Sequence, residues 1–234
     1  MTQTIDQLIQ NAHQAQAEVE FWPQDKADEM AAAAGWETIK LAEQIARLAV
    51  AETGMGIVDH KQVKHEKKTL GVLRDLAGVR TTGVIEEDPQ KGLIKIAKPV
   101  GVIGALTPVT NCEATLPAKA LPALKCRNAI IFAPHPKAKK TACLVTESMR
   151  VGLKKIGAPL DLIQVVEAPS ISLAKELMVK VDLVIATGGG AMVASAYSSG
   201  TPAYGVGAGN AVVIVDETAD LEAAAEKIML GKTF

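Results

Sequence analysis

Apolar positions change their period twice along this chain. From Ile5 to about Leu76 they recur at helical spacing. Ile5, Leu8, Ile9, Ala12, Ala15 and Val19 form one stripe, and Ile39, Ala42, Ile45, Ala46 and Ala49 form another on an Ala-rich segment over 25–52. Thr4 and Gln7 have capping-box spacing, Pro23 stands where a helix begins, and Gly54 and Gly56 close the second segment. A more polar helix is expected over 58–76. The pattern shortens between Thr81 and Lys98, where Val84-Ile85 and Ile94-Lys95-Ile96 flank an acidic turn. That predicts a β-hairpin, exposed enough to serve as a subunit contact or to stand alone at the surface.

From Val100 onward short β-branched runs alternate with helical ones. Strands are expected at 100–106, 129–132, 163–166, 183–186 and 211–215, with helices at 115–124, 137–156, 170–179, 191–198 and 220–232. Such alternation specifies a parallel sheet with right-handed crossovers. The predicted fold is α/β, a doubly wound parallel sheet of nucleotide-binding type over 99–234, preceded by helices over 1–80 and the hairpin over 81–98.

Composition narrows the function classes. Lys+Arg 25 against Asp+Glu 26 leaves a formal net charge of -1, which gives no electrostatic case for nucleic acid or an anionic membrane. Aromatic residues at 3% are too few for base-stacking platforms. The apolar runs fall short of membrane length, and the N-terminus lacks signal-peptide patterning. Three cysteines without CxxC spacing fit a reducing compartment, so a cytoplasmic protein is expected. The amphipathic first helix can pack on its own domain or act as a tag for a partner or a protein shell.

Candidate chemistry gathers where predicted strands end. The run Lys98–Asn111, KPVGVIGALTPVTN, is a buried strand followed by a turn, and a carboxamide at the carboxyl end of such a strand is where open α/β sheets place ligands. Asn111 is the first functional candidate, with a turn former or helix cap as the alternative. Gly188-Gly189-Gly190 follows another strand and opens a helix, which suits a phosphate or merely a tight turn. It is not the G-x-G-x-x-G fingerprint, because Val193 stands where the last glycine belongs. Gly205 and Gly207 belong to a second cluster ahead of the strand expected at 211–215. Ala133-Pro134-His135-Pro136 ends a further strand on the same rim, with His135 as a positioned donor or plain surface. Lys137, Lys139 and Lys140 form a solvated helix face from which one can reach a phosphate. Cys112 is the cysteine nearest these turns, and there is no zinc-ligand spacing.

Together, AETGMGIVDHK, KPVGVIGALTPVTN, KCRNAIIFAPHPKAKK, LVIATGGGAMVASAYSSGTPAYGVGAGN and VDETADLEAAAEKIMLGKTF resemble the CoA-acylating branch of the aldehyde dehydrogenase superfamily, in particular the aldehyde dehydrogenase half of bifunctional aldehyde/alcohol dehydrogenases. The resemblance implies NAD as cofactor, coenzyme A as co-substrate, a small aldehyde as substrate (acetaldehyde, sulfoacetaldehyde or succinic semialdehyde) and a homo-oligomer. It implies that Asn111 polarises the aldehyde and stabilises its oxyanion, and that Thr107, Pro108 and Thr110 line the nicotinamide. It places Ala133, Pro134, His135 and Pro136 near the adenine ribose, and Gly188, Gly189, Gly190 and Met192 near the pyrophosphate.

Two departures matter. Hydrolytic relatives carry a Glu-Leu-Gly-Gly motif where this chain reads Gly205-Val206-Gly207-Ala208, so the general base for deacylation is missing and a thiol acceptor is favoured. The loop after Phe132 lacks the acid that many relatives place on the ribose, which leaves NADP beside NAD. The resemblance also implies that the catalytic cysteine lies a few residues past Lys232-Thr233-Phe234. The 234 residues are then the cofactor-binding portion, inactive alone, with apolar surface left uncovered. The rival readings are a non-catalytic nucleotide-binding or assembly fragment, and an acyl-phosphate reductase of the same fold.

Overall fold

A computed structural model describes residues 3–207, 209 and 211–233. Four helices open it: α1 (Ile5–Val19), α2 (Gln24–Lys40), α3 (Ala42–Thr53) and α4 (Val58–Leu76). The capping box forms, with Gln7 N donating to Thr4 Oγ1 at 3.3 Å and Thr4 N donating to Gln7 Oε1 at 2.9 Å. The apolar stripe of α1 is buried against its own fold, and Gln164 Nε2 donates to Leu8 O at 2.8 Å. The Ala-rich segment expected as one helix is two. It breaks at Leu41 (φ −101°, ψ 13°), whose N–H turns back to Thr38 O, so α2 and α3 bury their small-residue stripes against different neighbours. Among the described residues no helix is long and apolar enough to cross a membrane.

The hairpin is present as β1 (Gly83–Asp88) and β2 (Leu93–Ala97), an antiparallel pair with Leu93, Ile94 and Ile96 exposed. The remaining strands are β3 (Val102–Thr107), β4 (Ala129–Pro134), β5 (Ile163–Val165), β6 (Leu183–Thr187) and β7 (Ala203–Val206). They form a five-stranded parallel sheet in the order β5-β4-β3-β6-β7. The crossovers run through α5 (Cys112–Lys125), α6 (Lys139–Lys155), α7 (Ile171–Lys180) and α8 (Gly190–Tyr197), and α9 (Leu221–Thr233) follows the sheet. The chain winds outward from β3 to β5, then returns to the other side of β3 for β6. With right-handed crossovers that reversal puts α5 and α6 on one face and α7 on the other, and α1 packs beside α7. Helices α2, α3 and α4 lie over α5 and α6.

One expected strand is misplaced. Residues 211–215 form no strand; the last strand is β7, paired with β6 from Val184↔Ala203 to Thr187↔Val206. The position beside β6 is taken by β7, and among the described residues no strand pairs with the outer side of β7. Val212 and Ile214 are left 84% and 88% exposed, since β propensity expresses itself only beside a partner. Gly205 therefore sits inside β7 rather than in a loop before a strand. Ala208 and Asn210 lie outside the described residues.

β3 is buried along its whole length and is pinned at its start. Asn128 Oδ1 accepts from Val100 N at 2.6 Å and Gly101 N at 3.0 Å, while Asp182 Oδ2 accepts from Val102 N at 2.7 Å. Gly101 has φ +125°, and a Cβ there would lie 2.3 Å from Asp182 Oδ2. Phe132, Ile130, Ile131, Leu116, Leu121, Met149 and Leu153 fill the core on either side. Where α2 crosses α6, a Cβ on Gly152 would stand 2.4 Å from Ala33 O. Gly152→Ala is expected to push the two helices apart and destabilise the fold by about 1–3 kcal/mol. Gly71→Ala, in open space on α4, should instead stabilise by about 0.5–1 kcal/mol. Urea midpoints of the two variants check both signs.

Candidate active site

Parallel strands point every carboxyl end to one rim, and the strand order reverses between β3 and β6. Open α/β sheets bind ligands outside such a switch point. A cavity of about 640 Å³ lies there, within the range of small-molecule sites. One wall is the turn after β3, with Thr107, Pro108, Val109 and Thr110. A second, after β4, has Ala133, Pro134, His135 and Pro136. A third, after β6, has Thr187, Gly188 and Gly189, with Met192 from α8. Gly207 and Gly209 close it on the β7 side. Eleven of the residues singled out in the sequence thus converge on one cavity: Thr107, Pro108, Thr110, Ala133, Pro134, His135, Pro136, Gly188, Gly189, Met192 and Gly207.

Gly190, Gly205 and Asn111 do not line it, and neither do Lys137, Lys139, Lys140 and Cys112. Gly190 begins α8 just behind Gly189. Gly205 packs beneath α8, where a Cβ would lie 2.5 Å from Val193 Cγ1 and 2.8 Å from Tyr197 Cε2. Asn111 follows the lining residue Thr110 on the same rim and holds the N-cap position of α5, but its side chain does not cap the helix. Its Oδ1 is buried with no hydrogen-bond partner among the described residues.

The walls offer a defined set of polar contacts. Thr107 Oγ1 is buried without a hydrogen-bond partner among the described residues, in a residue that lines the wall. His135 Nδ1 accepts from Lys137 N at 3.1 Å, so a neutral ring carries its proton on Nε2 as a donor. His135 N in turn donates to Thr107 O at 3.1 Å, tying the first two walls together. None of the Gly188–Gly190 residues has positive φ, and a Cβ on Gly189 or Gly190 would meet no protein atom within 4 Å. The triplet is therefore not dictated by packing. What it leaves open is close approach to the first N–H groups of α8, which favour an anion.

Behind the rim, α5 carries charge into the core. Pro117 has no N–H to give to the Glu113 carbonyl, and His65 Nδ1 from α4 fills that vacancy at 2.9 Å. Burial lowers the His65 pKa and keeps the ring neutral, with Nε2 at 3.2 Å from Thr38 Oγ1. The Glu113 side chain is fully buried; burial alone would push its carboxyl up, but Lys64 at 2.7 Å and Lys61 at 3.0 Å hold it below the usual range. Cys112 beside it is also buried, and desolvation with the Glu113 charge pushes its thiol to about 11. Such a thiol is no nucleophile at neutral pH.

Several of these residues were not anticipated. Ser170, Ile171 and Ala174 enter the cavity from the start of α7, and only Ser170 had a signal, as a helix cap following a strand. Lys119 was detectable as the one charged side chain in the run Ala114–Leu124. Its Nζ donates to Ile185 O at 3.1 Å and Leu106 O at 3.5 Å, bridging the two strands at the switch point.

A sequence model described as the Aldehyde dehydrogenase family matches residues 1–234. The chain belongs to that family. It is 52% identical over 229 residues to the sulfoacetaldehyde dehydrogenase of an Acholeplasma species, covering 97% of this chain and 47% of that protein. It is 46% identical over 231 residues to a succinate-semialdehyde dehydrogenase (acetylating) of Clostridium kluyveri, covering 99% and 51%. The crystal structure of an acetylating aldehyde dehydrogenase from Geobacillus thermoglucosidasius superposes with a TM-score of 0.91 at 36% identity, over 98% of this chain and 51% of that one. The chain thus spans about half the length of the curated relatives it matches. The family and the acylating character of its relatives agree with the resemblance carried by the sequence segments.

Burial pushes the Lys119 amine down to about 8, against 10.5 in the unfolded chain. Between those values the unfolded chain binds more protons, so Lys119 makes stability rise with pH there; below about 8 its charged form weighs against folding. Relative to Lys119→Met, the parent chain is expected to gain stability from pH 8 to 10.5. Parallel denaturation curves, with the Nζ titration followed by ¹⁵N NMR, check this; a midpoint near 10.5 would contradict it.

Proposed function

We propose that this chain supplies the nicotinamide-binding side of a CoA-acylating aldehyde dehydrogenase, converting an aldehyde, CoA and NAD to an acyl-CoA and NADH. The observation that carries the reading is the convergence of the β3, β4 and β6 turns on one cavity, with an unpaired hydroxyl, open glycine N–H groups and a fixed imidazole donor on its walls. Those features fit a dinucleotide. Thr107, Pro108 and Thr110 hold the nicotinamide end, Gly188, Gly189, Gly190 and Met192 the pyrophosphate, and the Ala133–Pro136 loop the ribose. Gly205 acts from behind, by seating α8 on β7, and Gly207 borders the pyrophosphate side. Bound NAD supplies a hydride acceptor; NADP is the alternative, since the ribose loop offers no carboxylate.

Asn111 acts on the substrate. Its carboxamide N–H donates to the aldehyde oxygen and stabilises the negative charge that grows there when a thiolate adds. The thiolate comes from outside these residues, because burial raises the pKa of Cys112, Cys126 and Cys143 alike. With Gly205-Val206-Gly207-Ala208 where hydrolytic relatives keep Glu-Leu-Gly-Gly, no general base deacylates the enzyme and the acyl thioester persists until CoA takes it. The substrate is a small aldehyde, and the names of the relatives put sulfoacetaldehyde and succinic semialdehyde first. The exposed β1–β2 pair, too small to be stable without support, is the contact of a homo-oligomer. Ile94→Lys with Ile96→Glu should then shift sedimentation to smaller species, and an unchanged profile would oppose that contact.

Isothermal titration of this chain with NAD and NADP tests the cofactor site. Saturable one-to-one binding is expected. Gly189→Val, whose Cβ would meet no atom of the described residues within 4 Å, should weaken it at least about tenfold with an unchanged melting temperature. Equal affinity in that variant, or no binding by the parent chain, contradicts the proposal.

A further inference from the structure

The turn that presents Asn111 is held by its neighbours rather than by its own side chain. Lys61 Nζ reaches across it, donating to Thr110 O at 3.3 Å on one side and to Glu113 Oε2 at 3.0 Å on the other. Lys64 Nζ lies 2.7 Å from Glu113 Oε1, and His65 grips the Glu113 main chain. Thr115 N and Oγ1 donate to Asn111 O at 3.2 and 2.7 Å, fixing the backbone from within α5. The Asn111 side chain takes no part, so its direction follows from where this clamp puts its Cα.

Stability does not explain such a clamp. Taking Lys61 and Glu113 out of water carries a large desolvation cost, and apolar residues of similar volume commonly serve a fold as well or better. What the ion pairs of Glu113 with Lys61 and Lys64 provide is a restriction on the arrangements this turn can take.

We propose that Lys61, Lys64 and Glu113 form a positioning cluster that aims the Asn111 carboxamide at the aldehyde oxygen. The proposal rests on the oxyanion role given to Asn111 above. It assigns work to α4, an element that lines no part of the cavity.

The test uses the full-length acylating enzyme that carries this chain, with four variants: Lys61→Met/Lys64→Met/Glu113→Leu, Lys61→Arg, Asn111→Ala, and Asn111→Ala combined with the triple. The triple removes all three charges together, so no bare ion is left in the core. It is expected to keep its melting temperature and its NAD affinity, to hold the aldehyde KM within about twofold, and to lose roughly ten- to a hundredfold in kcat. Lys61→Arg, which keeps the charge, should retain most of the parent kcat. Asn111→Ala should lose about a hundred- to a thousandfold, and adding the triple to it should cost nothing more. A folded triple with full kcat, or losses that multiply in the combined variant, overturns the positioning role while leaving the role of Asn111 intact. Full kcat in Asn111→Ala overturns the oxyanion reading itself. If the triple does not fold, Lys61→Met/Glu113→Gln takes its place under the same expectations, since it removes both buried charges and leaves only the partly exposed Lys64.

Discussion

The parallel pairing of β3 with both β4 and β6 is the constraint from which everything else in this molecule follows. It sends three carboxyl ends to one rim, and because the winding direction reverses at β3, no crossover helix covers the gap between them. The register is set at the far end, where Asn128 and Asp182 take the first N–H groups of the strand. A shift of β3 by one residue would move Thr107 and the Asn111 turn away from the cavity, since alternate residues face opposite sides.

The helical layer over α5 turns that geometry into a chemical site. A proline inside α5 would ordinarily leave a buried carbonyl bare, and His65 answers it from α4. The same helix delivers Lys61 and Lys64 to Glu113. The first residues of α5 are thereby fixed from two directions, by the sheet through Thr107 and by α4 through the ionic cluster. Lys119, further along α5, ties β3 to β6 at the switch point.

Much of this was legible in the sequence where the signal is local. The Pro/Gly-bounded run 98–111 and the alternation after Val100 rest on backbone preferences that tertiary context did not override. The failures share a cause. The β-branched run 211–215 has the composition of a strand, but β7 had taken the edge beside β6, and strand formation depends on a neighbour that composition does not reveal. The break at Leu41 follows from how α2 and α3 meet different helices. Ser170 and Ile171 reach the cavity because α7 crosses to the opposite face, which no spacing rule encodes. Lys61, His65 and Glu113 read as ordinary polar positions on helices, and only their packing makes them a cluster.

The claim at the centre of this account is that a nicotinamide dinucleotide lies across the β3–β6 switch point. A crystal structure of the chain with NAD bound tests it most directly. The account predicts density running from the Thr107–Thr110 turn to the Gly188-Gly189 turn, with Thr107 Oγ1 in hydrogen-bond contact. A nucleotide found instead in the groove between residues 213–215 and α9, with the rim cavity empty, would contradict it.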